Sequence, residues 1–160
     1  MAKSFLQDPN RLAYPRGIRN NNPGNLRRSA NDWVGKVPYA VSTDTSFEQF
    51  YELRYGIRAM MRDIYSDINK GNNTIAGLIS EYAPASDNNN TVAYIQAVVN
   101  ALGIAPHVQL EITDQLLISL SKVIALKENG AIAAQMITDR DYQDALDILG
   151  KPVKKKAQAA

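Results

Sequence analysis

Three stretches of the chain concentrate side chains able to do chemistry. The first is Gly17-Ile18-Arg19-Asn20-Asn21-Asn22-Pro23-Gly24-Asn25-Leu26-Arg27-Arg28. Its amides and guanidiniums would suit a polyhydroxylated or N-acetylated ligand, which asks for neutral donors and acceptors. Asn and Gly also tolerate left-handed backbone, and Asn amides hold tight turns by bonding their own main chain, so composition alone leans to a structural loop. The second stretch is Tyr82-Ala83-Pro84-Ala85-Ser86-Asp87-Asn88-Asn89-Asn90-Thr91, followed by Tyr94. Exposed aromatics beside amides suit sugar rings; the same residues also serve as a helix cap and as core, and periodicity does not separate the two readings. The third is Glu128, in Lys127-Glu128-Asn129-Gly130 at the end of an apolar run. The C-terminal end of a helix disfavours negative charge, and desolvation beside a buried element raises a carboxyl pKa. A carboxyl that keeps its proton is a general acid. An ordinary exposed Glu in a fraying last turn, paired with Lys127, is the plain alternative, and the residue pattern alone leans slightly towards it.

The rest of the inventory excludes other chemistries. No Cys is present, which removes disulfides, thiolate metal sites and a Cys nucleophile. With His107 the single histidine, a Ser-His-Asp triad or a zinc site has only one imidazole to draw on, and neither a metal nor a cofactor is expected. No P-loop, dinucleotide fingerprint, internal repeat or heptad pattern occurs.

At 160 residues, with 45% apolar and 21% charged residues, the chain has the size and composition of one folded domain. Its net charge of +2 is unevenly spread. Residues 1–62 hold ten Lys/Arg against five Asp/Glu, whereas residues 63–150 hold four against eleven. The last ten residues, KPVKKKAQAA, read as a disordered basic tail; contact with nucleic acid through counterion release is the weaker reading, since no aromatics interleave the lysines. No run approaches the ~20 apolar residues of a membrane span, and the N-terminus lacks the apolar stretch of a signal peptide. The expectation is a protein made in the cytoplasm that enters no membrane by itself.

These residues need elements to position them. Pro9, Pro15, Pro23 and Pro38 bar a long helix from the first 50 residues, where Trp33–Tyr39 and Thr45–Phe50 suit a small hairpin or two short strands. Apolar residues at helical spacing then predict a helix from Leu53 to Ile68, stopped by Gly71. A short helix capped by Asn73 or Thr74 ends before Pro84, and another runs from Asn90 or Thr91 to Gly103. The helix opened by Thr113 carries apolar residues so widely around its circumference that it is expected to be the most buried, ending near Asn129 and Gly130. A last helix, capped by Asp139, carries Tyr142, Leu146 and Leu149. The organisation is an N-terminal arm (1–15), a helical domain with a small irregular or β subdomain (16–150) and the tail (151–160).

GIRNNNPGNLRR, Trp33-Val34-Gly35, FEQFYELRYGIRAMMRDI, YAPASDNNNTVAYIQAV and VIALKENG, in that order, resemble a family of bacteriophage and prophage virion proteins of lysozyme-like type. The resemblance runs from about Arg16 to Gly130, and RGIRNNNPGN is its long, specific motif. Tyr82 stands where the family usually has Trp, and Asp87 where it often has Glu. The resemblance implies a mainly α, lysozyme-like fold and, as substrate, the alternating amino-sugar glycan of peptidoglycan. It implies Glu128 as the catalytic acid, with Arg19, Asn21, Asn22 and Asn25 along the cleft of the irregular subdomain and Tyr82 and Tyr94 along its helical wall. Lysozyme-like enzymes place the catalytic Glu before the cleft segments; here Glu128 follows them, which implies a circularly permuted arrangement if it is the acid.

The function implied is cleavage of the β-1,4 bond between N-acetylmuramic acid and N-acetylglucosamine by a virion protein, alongside other virion proteins as partners. Hydrolysis usually takes two carboxylates ~5 to 9.5 Å apart. No second one stands out, so a lytic-transglycosylase route, in which the substrate's own hydroxyl replaces water, is favoured. Glu48 and Glu52 are reserve candidates. A non-catalytic virion component with the same fold is the alternative of a different class.

Overall fold

The computed structural model of the chain describes residues 2–155. It is mainly helical: α1 (Arg16–Arg19), α2 (Leu53–Asn69), α3 (Ile75–Tyr82), α4 (Thr91–Leu102), α5 (Asp114–Asn129), α6 (Ile132–Met136) and α7 (Asp139–Asp147). The helix ends follow capping chemistry. The side chains of Thr74, Asn90 and Thr113 accept from the backbone N–H of Gly77, Ala93 and Leu116, and Gly103 ends α4 in the left-handed conformation. For α7 the cap is Thr138 rather than Asp139, because Thr138 and Asp141 form a reciprocal capping box and Asp139 is already helical. α1 and α6 span about one turn each, too short to leave a periodic signal.

The expected hairpin does not form. Residues 46–51 are stitched on both sides by single backbone bonds: Arg28 N–H to Ser46 and Glu48 N–H to Leu26 on one flank, Val37 N–H to Gln49 and Tyr51 N–H to Gly35 on the other. Only isolated bridges result, Arg27 with Phe47 and Lys36 with Phe50. Pro38 cannot donate to a ladder, and the Phe50 N–H is taken by the Asn20 carbonyl.

The core lies between α2 and α5, with α7 against both and the α3–α4 pair on the flank. Leu117, Leu120 and Ile124 of α5 are fully buried, but α5 does not outrank α2, whose Leu53, Ile57, Met60 and Met61 are equally inaccessible; Leu126 of α5 reaches solvent. Residues of the arm pack on this body: Phe5 joins the core, the Lys3 carbonyl accepts from Leu53 N–H, and the Lys3 ammonium meets Asp141 at 2.8 Å. The start of the expected disordered tail is docked as well. Tyr65 donates to the Pro152 carbonyl, Val153 lies on the core, and the Lys154 carbonyl accepts from Asp114 N–H while its ammonium pairs with Glu111. Residues 156–160 of that tail lie outside the described residues. Among the described residues, no helix is long and apolar enough to cross a membrane.

The loop after α1 is held by buried amides. Asn21 accepts from Phe5 N–H and donates to the Phe50 carbonyl and to Ser4; Asn22 donates to the carbonyls of Leu26 and Glu48 and accepts from Leu26 N–H. Asn20 bridges Asp44 and Gln49. This loop lies directly on α2 at Gly56, where a Cβ would stand 1.6 Å from the Asn21 carbonyl oxygen. Helix propensity alone makes Gly56→Ala stabilising by ~1 kcal/mol. Overpacking against backbone reverses the sign, so urea unfolding of Gly56→Ala is expected to show a loss of ~1–3 kcal/mol or more. Asn21→Ala strands a buried N–H and a buried carbonyl, and the same measurement is expected to show ~1–3 kcal/mol of destabilisation.

Candidate functional site

Glu128 sits in the last turn of α5, and its neighbour explains why it is held there. Asn129 donates to the carbonyl of Pro23 at 2.8 Å and to that of Ala125 at 3.0 Å, tying the end of α5 to the Asn-rich loop. Gly17 gives Asn129 room, since a Cβ there would stand 2.4 Å from its amide oxygen. With the helix end docked, one Glu128 oxygen accepts from the Asn25 amide at 3.2 Å and the other from the Tyr94 hydroxyl at 3.1 Å. Burial raises the Glu128 pKa, and the Asn25 and Tyr94 hydrogen bonds and the Lys127 charge pull it partly back. Burial, with the Glu128 charge beside it, pushes the Tyr94 hydroxyl far above its ordinary value, so Tyr94 stays a donor.

The carboxyl opens on a groove of about 410 Å³. The N-terminal subdomain contributes Asn25, Arg27 and Phe47; α2 contributes Asp63 and Asp67; α3 and the turn after it contribute Glu81, Tyr82 and Asp87. Tyr82 is locked by its hydroxyl, which donates to the Gly24 carbonyl, and a side chain at Gly24 would collide with it. Arg27 meets Asp87 at 3.9 Å and stacks over the Phe47 ring at 4.9 Å. Among the described residues, none donates a hydrogen bond to Asp63 or forms an ion pair with it. Burial first, then the like charges of Asp67 and Glu81, push its carboxyl up to about 6, against the weaker pull of Lys70. Asp67 is raised too, by burial first and then by the Glu81 charge, against the pull of Lys70.

Of the residues singled out in the sequence, Glu128, Asn25, Tyr82 and Tyr94 come together. Arg19, Asn21 and Asn22 do not reach the groove. Asn21 and Asn22 are inaccessible with their amides spent on backbone, and Arg19 donates to the Tyr14 carbonyl on another face. Glu48 is buried away from the groove, accepting from Tyr39 with Lys36 at 3.5 Å, and Glu52 pairs with Arg54 at the start of α2. The sequence reading passed over Asp63, Asp67 and Asn129. A signal for the first two existed: like charges at i and i+4 on one helix are unfavourable and ask for a reason. Among the described residues, no group of three or more His, Cys, Asp or Glu side chains is arranged to hold a metal ion.

Fold and site together define a mainly helical protein with a carboxylate-lined groove closed by a helix C-terminus. No family model matches the chain. Over 120 residues, 72% of each chain, it is 32% identical to Protein P5 of Pseudoalteromonas phage PM2. The chain belongs to the family of that phage protein.

The perturbed Asp63 has a consequence for stability. Its folded pKa, about 6, lies above the ordinary carboxyl value of 3.8, so between these values the folded state binds more protons and stability falls as pH rises. Asp63→Asn removes that penalty. Thermal melts are expected to show the variant more stable than the parent at pH 7–8 and indistinguishable from it near pH 3.

Proposed function

We propose that this protein is a virion-associated enzyme that cleaves the β-1,4 bond between N-acetylmuramic acid and N-acetylglucosamine in peptidoglycan, aiding phage genome entry or lysis. The observation that carries this reading is the Glu128 carboxyl, half-buried beside a groove and gripped by Asn25 and Tyr94. A merely exposed helix-end Glu has no such partners. Asn25 and Tyr82, an amide and an aromatic on the groove walls, are the sugar-contacting residues, and Tyr94 orients the carboxyl. A catalytic Glu at the end of a buried helix is the lysozyme-like arrangement, here in permuted chain order. Virion association is supported by membership in a phage protein family.

Charge separates this reading from nucleic-acid binding. The groove lining carries five carboxylates, from Asp63, Asp67, Glu81, Asp87 and Glu128, against the Arg27 guanidinium. A polyphosphate is repelled there, whereas a glycan with neutral hydroxyls and acetamides is not.

The purified protein is expected to clear a zymogram of peptidoglycan. Glu128→Gln keeps shape and hydrogen-bonding capacity but removes the transferable proton, and should lower the cleavage rate by ~10² to 10⁴-fold with the fold intact by circular dichroism. Absence of cleavage by the parent protein, where a reference muramidase works, would sink the enzymatic reading and leave a non-catalytic virion component.

A further inference from the structure

The sequence offered Glu128, with Glu48 and Glu52 in reserve; the groove brings to Glu128 a different second carboxyl, that of Asp63. Asp63 projects from α2 into the same groove as Glu128. Both carboxyls act on the Tyr82 hydroxyl, which their charges make harder to ionise. Their surroundings differ in kind. Burial raises the Glu128 pKa, but the group receives an amide N–H and a phenolic O–H, one on each oxygen, and has Lys127 next to it, three contacts that work back towards its anion. Asp63 is partly shielded from water, receives no donor among the described residues, and faces Asp67 one turn along α2 and Glu81 from α3, with Lys70 as the opposing cation. Two carboxyls in one groove, one complemented as an anion and one not, divide the labour of acid and base.

We propose that Asp63 is a second catalytic residue, the proton donor to the leaving sugar, and that Glu128 is the base that activates water, so that the groove hydrolyses the glycan. This rests on the glycan-cleaving reading above. In the step, the water oxygen bonds to C1 of N-acetylmuramic acid as the bond from C1 to the bridging oxygen breaks. The Glu128 carboxylate takes one water proton, and the Asp63 carboxyl gives its proton to the bridging oxygen, which leaves as the 4-hydroxyl of N-acetylglucosamine. The products are a reducing end and a free hydroxyl, with one water consumed. The protonated Glu128 and ionised Asp63 then exchange protons with solvent. The roles assigned from the family resemblance are thereby reversed, and the transglycosylase route, which consumes no water and ends in a 1,6-anhydro sugar, is replaced.

The test digests purified peptidoglycan sacculi with the full chain and its Asp63→Asn, Asp63→Glu and Glu128→Gln variants, counting borohydride-reducible and 1,6-anhydro ends by mass spectrometry across pH 4 to 9. The expected result is reducible ends, with parent kcat/KM falling as pH rises through about 6, where Asp63 loses its proton. Asp63→Asn should lose ~10²-fold or more in kcat/KM and lose that alkaline limb. Asp63→Glu should restore part of the rate and keep a limb, and residual activity of Glu128→Gln should keep it too. Anhydro ends from the parent, Asp63→Asn within threefold of the parent, or an unchanged alkaline limb in that variant would each overturn the assignment while leaving glycan cleavage standing. No cleavage by the parent overturns both. If Asp63→Asn fails to fold, the parent's end groups and the position of the limb in Asp63→Glu decide.

Discussion

The groove depends on a patch of buried amides laid against a glycine. The main chain at Asn21 approaches α2 so closely at Gly56 that no side chain fits between them; Asn21 and Asn22 spend their amides chiefly on backbone groups of Phe5, Leu26, Glu48 and Phe50, and Asn20 joins the side chains of Asp44 and Gln49. Those segments have no sheet or long helix to satisfy their backbone, and a buried unpaired peptide group costs ~1–3 kcal/mol. The amides stand in for a ladder. Because they fix the loop, Pro23 presents its carbonyl to Asn129, Gly24 presents its own to Tyr82, and Asn25 reaches Glu128. One loop thus grips α2, α3 and α5.

Charge is segregated along the same seam. The excess of arginine in the first 62 residues looks in sequence like a basic surface, yet much of it is consumed in structure. Arg16 forks onto Asp44 and stacks on Phe47 at 4.2 Å, Arg28 lies over Tyr39 at 4.1 Å, and Arg11, Arg19 and Arg58 donate to carbonyls of Arg19, Tyr14 and Ile148. Burial works against the Asp44 charge, but Arg16 and the N–H groups of Ser46 and Phe47 outweigh it and hold that carboxyl well below the usual range. The acidic half is the opposite case. Asp63 and Asp67 lack such donors among the described residues, so burial and the charge of Glu81 raise both carboxyls at the groove against the weaker pull of Lys70.

The helices were legible because period and punctuation agree: Thr74, Asn90 and Thr113 cap as their side chains predict, and Gly103 stops α4 as a left-handed residue. The irregular first third was not, because its order comes from side-chain amides over separations of 16 to 29 residues, which no local pattern encodes. The same ambiguity split the candidate site. The Asn-rich stretch was open to a ligand or a structural reading, and the structure divides it: Asn21 and Asn22 are buried with their amides spent inside the protein, whereas Asn25 lines the groove and meets Glu128. Both Asn21 and Asn25 hold left-handed backbone, the conformation Asn tolerates in tight turns. Asp63 escaped notice because its significance lies in what surrounds it, three-dimensional crowding with Asp67, Glu81 and Tyr82.

A carboxylate at a helix C-terminus looks misplaced, and magnitudes show why the position is nevertheless workable. The dipole penalty is ~0.3–1 kcal/mol and falls off within a turn. Hydrogen bonds to a charged group contribute ~1.5–3 kcal/mol each, and Glu128 has two. The donors therefore outweigh the dipole, and the proton on Glu128 is governed by burial on one side against Asn25 and Tyr94 on the other. Both donors arrive from other elements: Tyr94 from α4, Asn25 from a loop more than 100 residues earlier in the chain. The position of Glu128 after the cleft segments in chain order is immaterial to this chemistry, because Asn129 and its bond to Pro23 bring the end of α5 to the loop whatever the order of connection. What the Asn-rich loop and the end of α5 share is a single docking event, and the carboxyl is tuned by the residues that complete it.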